Sequence, residues 1–144
     1  MSETLHLIAR IADRAVAFDS NLVDSVVDLG AITPVPLAAP GVVGLAALRS
    51  RVLTVIDPRV ALDLPTDGPL PSRAVITRVE QHAYAVLVDA LEDVARYATV
   101  PIPAGVAFEA GWANAAQALI DRAGEPVLVI DLAALLPHAP SLAA

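Results

Sequence analysis

The stretch Gly41–Pro65, GVVGLAALRSRVLTVIDPRVALDLP, decides how the rest of the chain is read. Two apolar runs, Val42–Leu48 and Val52–Ile56, flank a polar Arg49-Ser50-Arg51 tip, and β-branched residues fill the second run; this is the pattern of a β-hairpin. A helix start follows at once. Asp57 is placed to accept a bond from the free amides of the next turn, and Pro58 supplies a preset φ at the first helical position, so a short helix is expected to about Leu62.

Upstream, Leu5–Ile11 and Ala15–Phe18 read as strands joined at Asp13-Arg14, and Leu22–Leu29 as a third with its alternation interrupted by Asp24, Ser25 and Asp28. Pro34 and Pro36 forbid a helix and keep the chain extended up to the hairpin. Downstream, Thr66–Ser72, TDGPLPS, is the strongest punctuation in the sequence and the expected midpoint linker.

Beyond the linker the pattern repeats. A shift of 68 lays Ile8–Leu29 on Ile76–Tyr97, with Ile8/Ile76, Arg10/Arg78, Ala15/Ala83, Ala17/Ala85 and Val26/Val94 identical. A shift of 74 lays Val55-Ile56-Asp57 on Val129-Ile130-Asp131, Leu45 on Leu119 and Leu62 on Leu136. The change of shift implies six extra residues between Tyr97 and Trp112, in the connector TVPIPAGVAFEAG. Chance similarity between Ala- and Val-rich strands would account for one segment alone; two segments in the same order point to two copies of one small β unit.

The order Pro, apolar-Gly-apolar, Leu-Arg-polar, apolar run, Val-Ile-Asp and short helix resembles the core of the CheW-like coupling proteins of bacterial chemotaxis. That family's turn usually reads Asn-Leu-Arg-Gly; here it reads Ala47-Leu48-Arg49-Ser50, so Leu48 and Arg49 match while the polar first residue and the glycine are replaced. The resemblance continues through Val79–Val94 and Pro126–Leu136. It implies an all-β fold with short helical turns: two pseudo-repeated, intertwined small five-stranded barrels around a shared apolar seam, residues 1–67 forming the first subdomain and 68–144 the second.

Composition sets the outer bounds. A compact body of 144 residues buries about 68 to 70% of its unfolded surface, so one substantial core is expected. Nine basic residues against sixteen acidic ones, net −7, argue against nucleic acid, which needs clustered cations. The absence of cysteine excludes a disulfide framework and fits a reducing, cytoplasmic setting. Hydrophobic residues make up 56% and charged ones only 17%, below the ~25% of ordinary domains, so either apolar surface is kept for protein partners or the 29 alanines inflate the count. Nowhere do 18 residues run apolar without interruption, so no membrane insertion is expected, and MSETLHLIAR lacks a basic region before an apolar run, so no signal peptide is expected either.

Catalytic patterns are not found. Asp57 and Asp131 occupy equivalent places, but each follows an apolar strand and opens a helical turn, which favours capping over acid–base work. His6, His82 and His138 stand alone, without ligands at metal-binding spacing, and no serine sits in a nucleophile elbow. No glycine run suits a nucleotide phosphate. No enzyme activity and no cofactor are expected.

The binding residues come from the resemblance. It places Val23, Ser25 and Gly44 at a contact with the regulatory domain of a CheA-type histidine kinase, Ser25 replacing the acidic residue usual there. It places Arg49, Val86 and Val88 toward the cytoplasmic tip of a methyl-accepting chemoreceptor. Residue pattern alone leaves alternatives open: Arg49 and Arg51 as a solvated turn or paired with Asp57 or Asp63, Ser25 as an ordinary edge residue, and the stripe Tyr84-Val86-Val88 as core. Trp112, the only tryptophan, is expected to open the final hairpin as an anchor for the core or for a partner. The implied function is a chemotaxis adaptor coupling receptor to kinase. The alternatives are a small-molecule sensor with its pocket in the seam, or a divergent module of another kinase assembly.

Overall fold

The computed structural model describes residues 3–108 and 110–137. Ten strands form two five-stranded sheets. The first half contributes β1 (Thr4–Ile11), β2 (Arg14–Asp19), β3 (Ser25–Asp28), β4 (Val42–Leu48) and β5 (Arg51–Ile56); the second contributes β6 (Arg73–Val79), β7 (His82–Leu87), β8 (Ala90–Tyr97), β9 (Ala116–Arg122) and β10 (Glu125–Ile130). Two short helices, α1 (Pro58–Ala61) and α2 (Ala110–Ala115), and a 3-10 turn at Leu132–Leu135 complete the frame.

The sheet orders are β8-β1-β2-β10-β9 and β3-β6-β7-β5-β4. Each sheet takes the first two strands of one repeat and the last three of the other. Four pairings hold the exchange: β2 with β10 (Val16 opposite Leu128) and β7 with β5 (Tyr84 opposite Thr54) are parallel, while β1 with β8 and β3 with β6 are antiparallel like every pair within a repeat. Each sheet is therefore made from strands on both sides of the linker. The edges of each sheet are drawn together by one bridge, Thr33 with Leu45 in one and Val100 with Leu119 in the other.

Four two-residue hairpin turns carry positive φ at both central positions, the geometry that matches strand twist. They are Ala12-Asp13, Arg49-Ser50, Glu80-Gln81 and Ala123-Gly124, two pairs related by the shifts of 68 and 74. The tip of the Gly41–Pro65 hairpin is thus two residues long, with Arg51 already in β5. Ser50 holds φ 68° without the freedom of a glycine.

Burial falls into three clusters. One fills the β3–β7 barrel, with Leu53, Val55, Ile76, Ala85 and Leu87; a second fills the other, with Ile8, Ala17, Ile120, Val127 and Val129. The largest is the seam between the sheets, where Leu7, Val16 and Phe18 meet Ile56, Val75, Val86 and Val88, closed by Leu62, Trp112, Ile130, Leu132 and Leu135. Strand alternation explains the partition: Leu53 and Val55 point into a barrel, whereas Ile56 and Val86, paired in register, point into the seam.

Two elements differ from the sequence reading. The third strand is shorter than Leu22–Leu29, because Ser20–Leu22 forms a 3-10 turn whose cap, Asp19, accepts a 2.9 Å bond from the amide of Asn21. Trp112 lies inside α2 and not at the head of a hairpin. This helix belongs to the extra residues of the second half, and it docks closely: a Cβ built on Gly111 would stand 2.7 Å from the carbonyl oxygen of Ala61.

Candidate functional site

The two aspartates that end the Val-Ile-Asp strands are caps. Asp57 Oδ1 accepts from the amide of Arg59 at 3.0 Å, and Asp131 Oδ1 accepts from the amide of Ala133 at 3.1 Å. Asp57 is also gripped by the Arg59 guanidinium, Nε to Oδ1 at 2.9 Å and Nη2 to Oδ2 at 2.9 Å, and this bond holds the Arg59 pKa above its ordinary value. Both carboxylates are engaged in local structure. His6 is buried, its Nδ1 2.9 Å from the Thr4 carbonyl oxygen and its ring edge-on to Tyr97, while His82 is exposed on β7. His138 lies outside the described residues. Among the described residues no three His, Asp or Glu side chains converge as a metal site, and no helix is long and apolar enough to cross a membrane.

The residues assigned to a kinase contact fall on opposite edges of one sheet. Val23 follows the 3-10 turn, half-buried against the seam; Ser25 is exposed and opens β3; Gly44 is buried in β4. Register places Ser25 and Gly44 in one transverse row, running Ser25, Ile76, Ala85, Val55, Gly44. Gly44 has a structural reason of its own. A side chain there would collide with the carbonyl of Thr33, which accepts the Leu45 amide at 2.8 Å in the bridge that draws the edges together.

The residues assigned to a receptor contact separate differently. Arg49 is exposed at the hairpin turn, and the internal pairing with Asp57 does not form, because the length of β5 separates the turn from Asp57 at its far end. Val86 and Val88 are 0% and 1% exposed in the seam. Their side chains offer a partner no surface, and a helix hairpin reaching them would have to part the two sheets. The stripe Tyr84-Val86-Val88 does share one face, with half-buried Tyr84 at the seam's margin.

What the sequence reading missed lies along the edge strands. Val26 on β3 and Val94 on β8 are equivalent under the shift of 68. Val26 is opposite Val75 and Val94 opposite Leu7, both seam residues, so each points to the seam side of its sheet. Val26 and Leu91 are only partly covered, and Val94 is 49% exposed. With exposed Leu22 and Leu5, apolar side chains are thus left uncovered along the seam margin of both sheets. The identity of Val26 and Val94 in the repeat was the available signal.

A second opening of the seam, about 520 Å³, is lined by Pro40, Val60, Ala61, Asn114, Leu135 and Leu136 around α1 and the final 3-10 turn. The seam proper is filled by side chains. Elsewhere the charged surface is tied internally: Glu92 takes Arg10 at 2.7 Å and Arg122 at 2.8 Å, and these two bonds pull its carboxyl below the usual range.

Comparison with known proteins follows this geometry. Residues 6–139 match the family model described as the CheW-like domain. The crystal structure of the scaffolding protein TtCheW from Thermoanaerobacter tengcongensis shares the fold, with a TM-score of 0.77 and 18% sequence identity over 91% of this chain and 90% of that one. No curated protein sequence matches.

Proposed function

Because the chain belongs to the CheW-like domain family, we propose that it is a non-enzymatic, cytoplasmic adaptor of chemotaxis that couples a chemoreceptor to a CheA-type histidine kinase through two protein surfaces. The observation that carries this reading is the set of apolar side chains left uncovered along the seam margin, on pseudo-equivalent edge strands, in a chain without catalytic constellations among its described residues. Such a margin suits the side of a helix hairpin, which presents apolar residues at i, i+3, i+4 and i+7. In this reading the receptor tip lies along Val26, Leu91 and Val94. Arg49, exposed at the β4–β5 turn, would be a separate point of contact with the receptor, and Val86 and Val88 support the seam from beneath.

The kinase contact is assigned to the edges of the β3–β7 sheet, at Val23, Ser25 and the edge bridge that Gly44 permits. With serine in place of an acidic side chain at position 25, this surface has one charge fewer to steer association, so its partner would carry correspondingly weaker positive charge there. Signal would pass as a change in relative placement of the two partners on one rigid body, since the seam that joins the surfaces is densely packed.

Co-purification against the chemotaxis kinases and receptors of its own source tests this. Wild type is expected to retain both; Val23→Asp is expected to lose the kinase and keep the receptor, and Val94→Asp the reverse, each with unchanged far-UV circular dichroism. Failure of folded wild-type protein to retain any kinase would refute the adaptor reading.

A further inference from the structure

Because β5 and β7 run parallel, the turns Arg49-Ser50 and Glu80-Gln81 project from the same end of their sheet. Between them lies a groove of about 580 Å³ lined by Arg51, Val52, Thr54, Arg78, Gln81, His82 and Ala83. The chain has nine arginines and no lysine, and three of them, Arg49, Arg51 and Arg78, stand at this one end of a protein of net charge −7. Among the described residues Arg49 and Arg51 have no carboxylate within ion-pair distance, and the nearest to Arg78 is Asp24 at 4.0 Å.

The pseudo-symmetric twin of this groove is an internal control. In the other sheet β10 and β2 are parallel and bring together the turns Ala12-Asp13 and Ala123-Gly124. There Glu125 stands where Arg51 stands, Asp13 where Gln81 stands and Ala123 where Arg49 stands. Arg10, the twin of Arg78, is bound to Glu92 at 2.7 Å and donates to the Asp13 carbonyl oxygen at 2.6 Å. The Arg10–Glu92 pair at 2.7 Å has its twin in Arg78–Asp24 at 4.0 Å, so the same position is tightly paired in one half and loosely in the other, where Arg49 and Arg51 add charge that Ala123 and Glu125 do not. The fold does not require the cations, and grouping like charges without counter-ions costs free energy.

We propose that this groove receives an extended acidic segment of a partner protein, whose alternate carboxylates, on one face of that segment, meet Arg51 and Arg78, which share the Leu53 and Ile76 face of their own sheet. A guanidinium forks onto a carboxylate through two parallel N–H bonds, and Thr54 and Gln81 add neutral partners for the peptide. Arg51 and Arg78 stand on strands separated by β7, a spacing that suits two carboxylates of one segment better than a single small anion. Arg51 and Arg78 are separate from the residues assigned to kinase and receptor above, so the inference does not depend on that assignment.

The test is an amide-resolved NMR titration of the full chain with acetyl-Gly-Glu-Val-Glu-Gly-amide, its Gln-Val-Gln analogue and inorganic phosphate. The acidic peptide is expected to give saturable shifts confined to residues 51–54 and 81–83, and its affinity should fall as salt rises from about 20 to about 300 mM. The Gln analogue and the Arg51→Gln/Arg78→Gln variant should each bind about tenfold more weakly or worse, the variant keeping an otherwise unchanged spectrum. Unsaturable or scattered shifts, or equal binding of the Gln analogue, would overturn the proposal. Equal shifts from phosphate would reduce the groove to a simple anion site, and shifts that follow protein concentration without peptide would assign it to a second copy; either result overturns the peptide partner.

Discussion

Replacing Ser50 by glycine is expected to stabilise the protein. Arg49 and Ser50 both hold positive φ, 50° and 68°, and the left-handed region costs an L-residue about 1–2 kcal/mol because Cβ crowds the following carbonyl. Glycine removes that penalty but gives the unfolded chain more freedom, which offsets about 0.4–1 kcal/mol. The net gain is about 0.5–1 kcal/mol, or about 1–4 °C in Tm for a chain of this length. The second repeat supplies the control: Gly124 holds φ 88° at the equivalent position, and a Cβ there would meet nothing within 4 Å, so Gly124→Ser carries the conformational penalty alone and should lower Tm by a similar amount. The two turns lie in different sheets, so the double exchange should return to within about 0.5 kcal/mol of wild type. Differential scanning calorimetry reads all three. A Ser50→Gly variant no more stable than wild type, beside a Gly124→Ser variant no less stable, would refute the argument that these turns are strained by side chains.

Three further outcomes follow from other parts of the structure. Gly44→Ala should cost about 1–3 kcal/mol by denaturant titration, since its methyl group must displace the Thr33 carbonyl and with it the bridge to Leu45. Trp112→Ala should cost about 3–5 kcal/mol by opening the seam that its 4%-exposed ring helps close, whereas Trp112→Phe, which keeps an aromatic ring under Arg14, should cost less than half of that. Glu92 has a carboxyl pKa depressed by Arg10 and Arg122, so its pairing stabilises the fold above the unfolded carboxyl pKa and is lost as pH falls through the lower folded value. Glu92→Gln should therefore have a lower Tm than wild type at neutral pH, and the gap should close in acid; a gap that persists at the acid end would count against this role.

The sequence was most legible where local chemistry is self-contained. Paired apolar runs, proline at the head of α1 and aspartate before each helical turn act within a few residues, and all appear where expected. The doubled pattern was legible because its two shifts align side chains that fill the same places in each half. The exchange of strands was expected only from the family resemblance, since alternation fixes which way a side chain points and says nothing about which strand lies beside it. The burial of Val86 and Val88 escaped for a related reason: β7 is covered on both faces, by a barrel interior at Ala85 and Leu87 and by the seam at Val86, so its stripe reads the same whether it faces a core or a partner. The helix α2, AGWANA, is too short to show a periodic apolar face. It is held by the fit of Gly111 on the backbone of Ala61 and Leu62, a contact made across about 50 residues of chain.

The interleaving of the two halves also fixes an order of events during synthesis. β1 and β2 leave the ribosome first, yet the partner that flanks β2 is β10, about 110 residues later, a wait of roughly 5 to 20 s at ordinary elongation rates. During that interval the edge of β2 and the seam face of Phe18 are bare. A nascent chain stalled before residue 125 should therefore be a chaperone client, and two such chains could pair with each other's missing strands before either is finished.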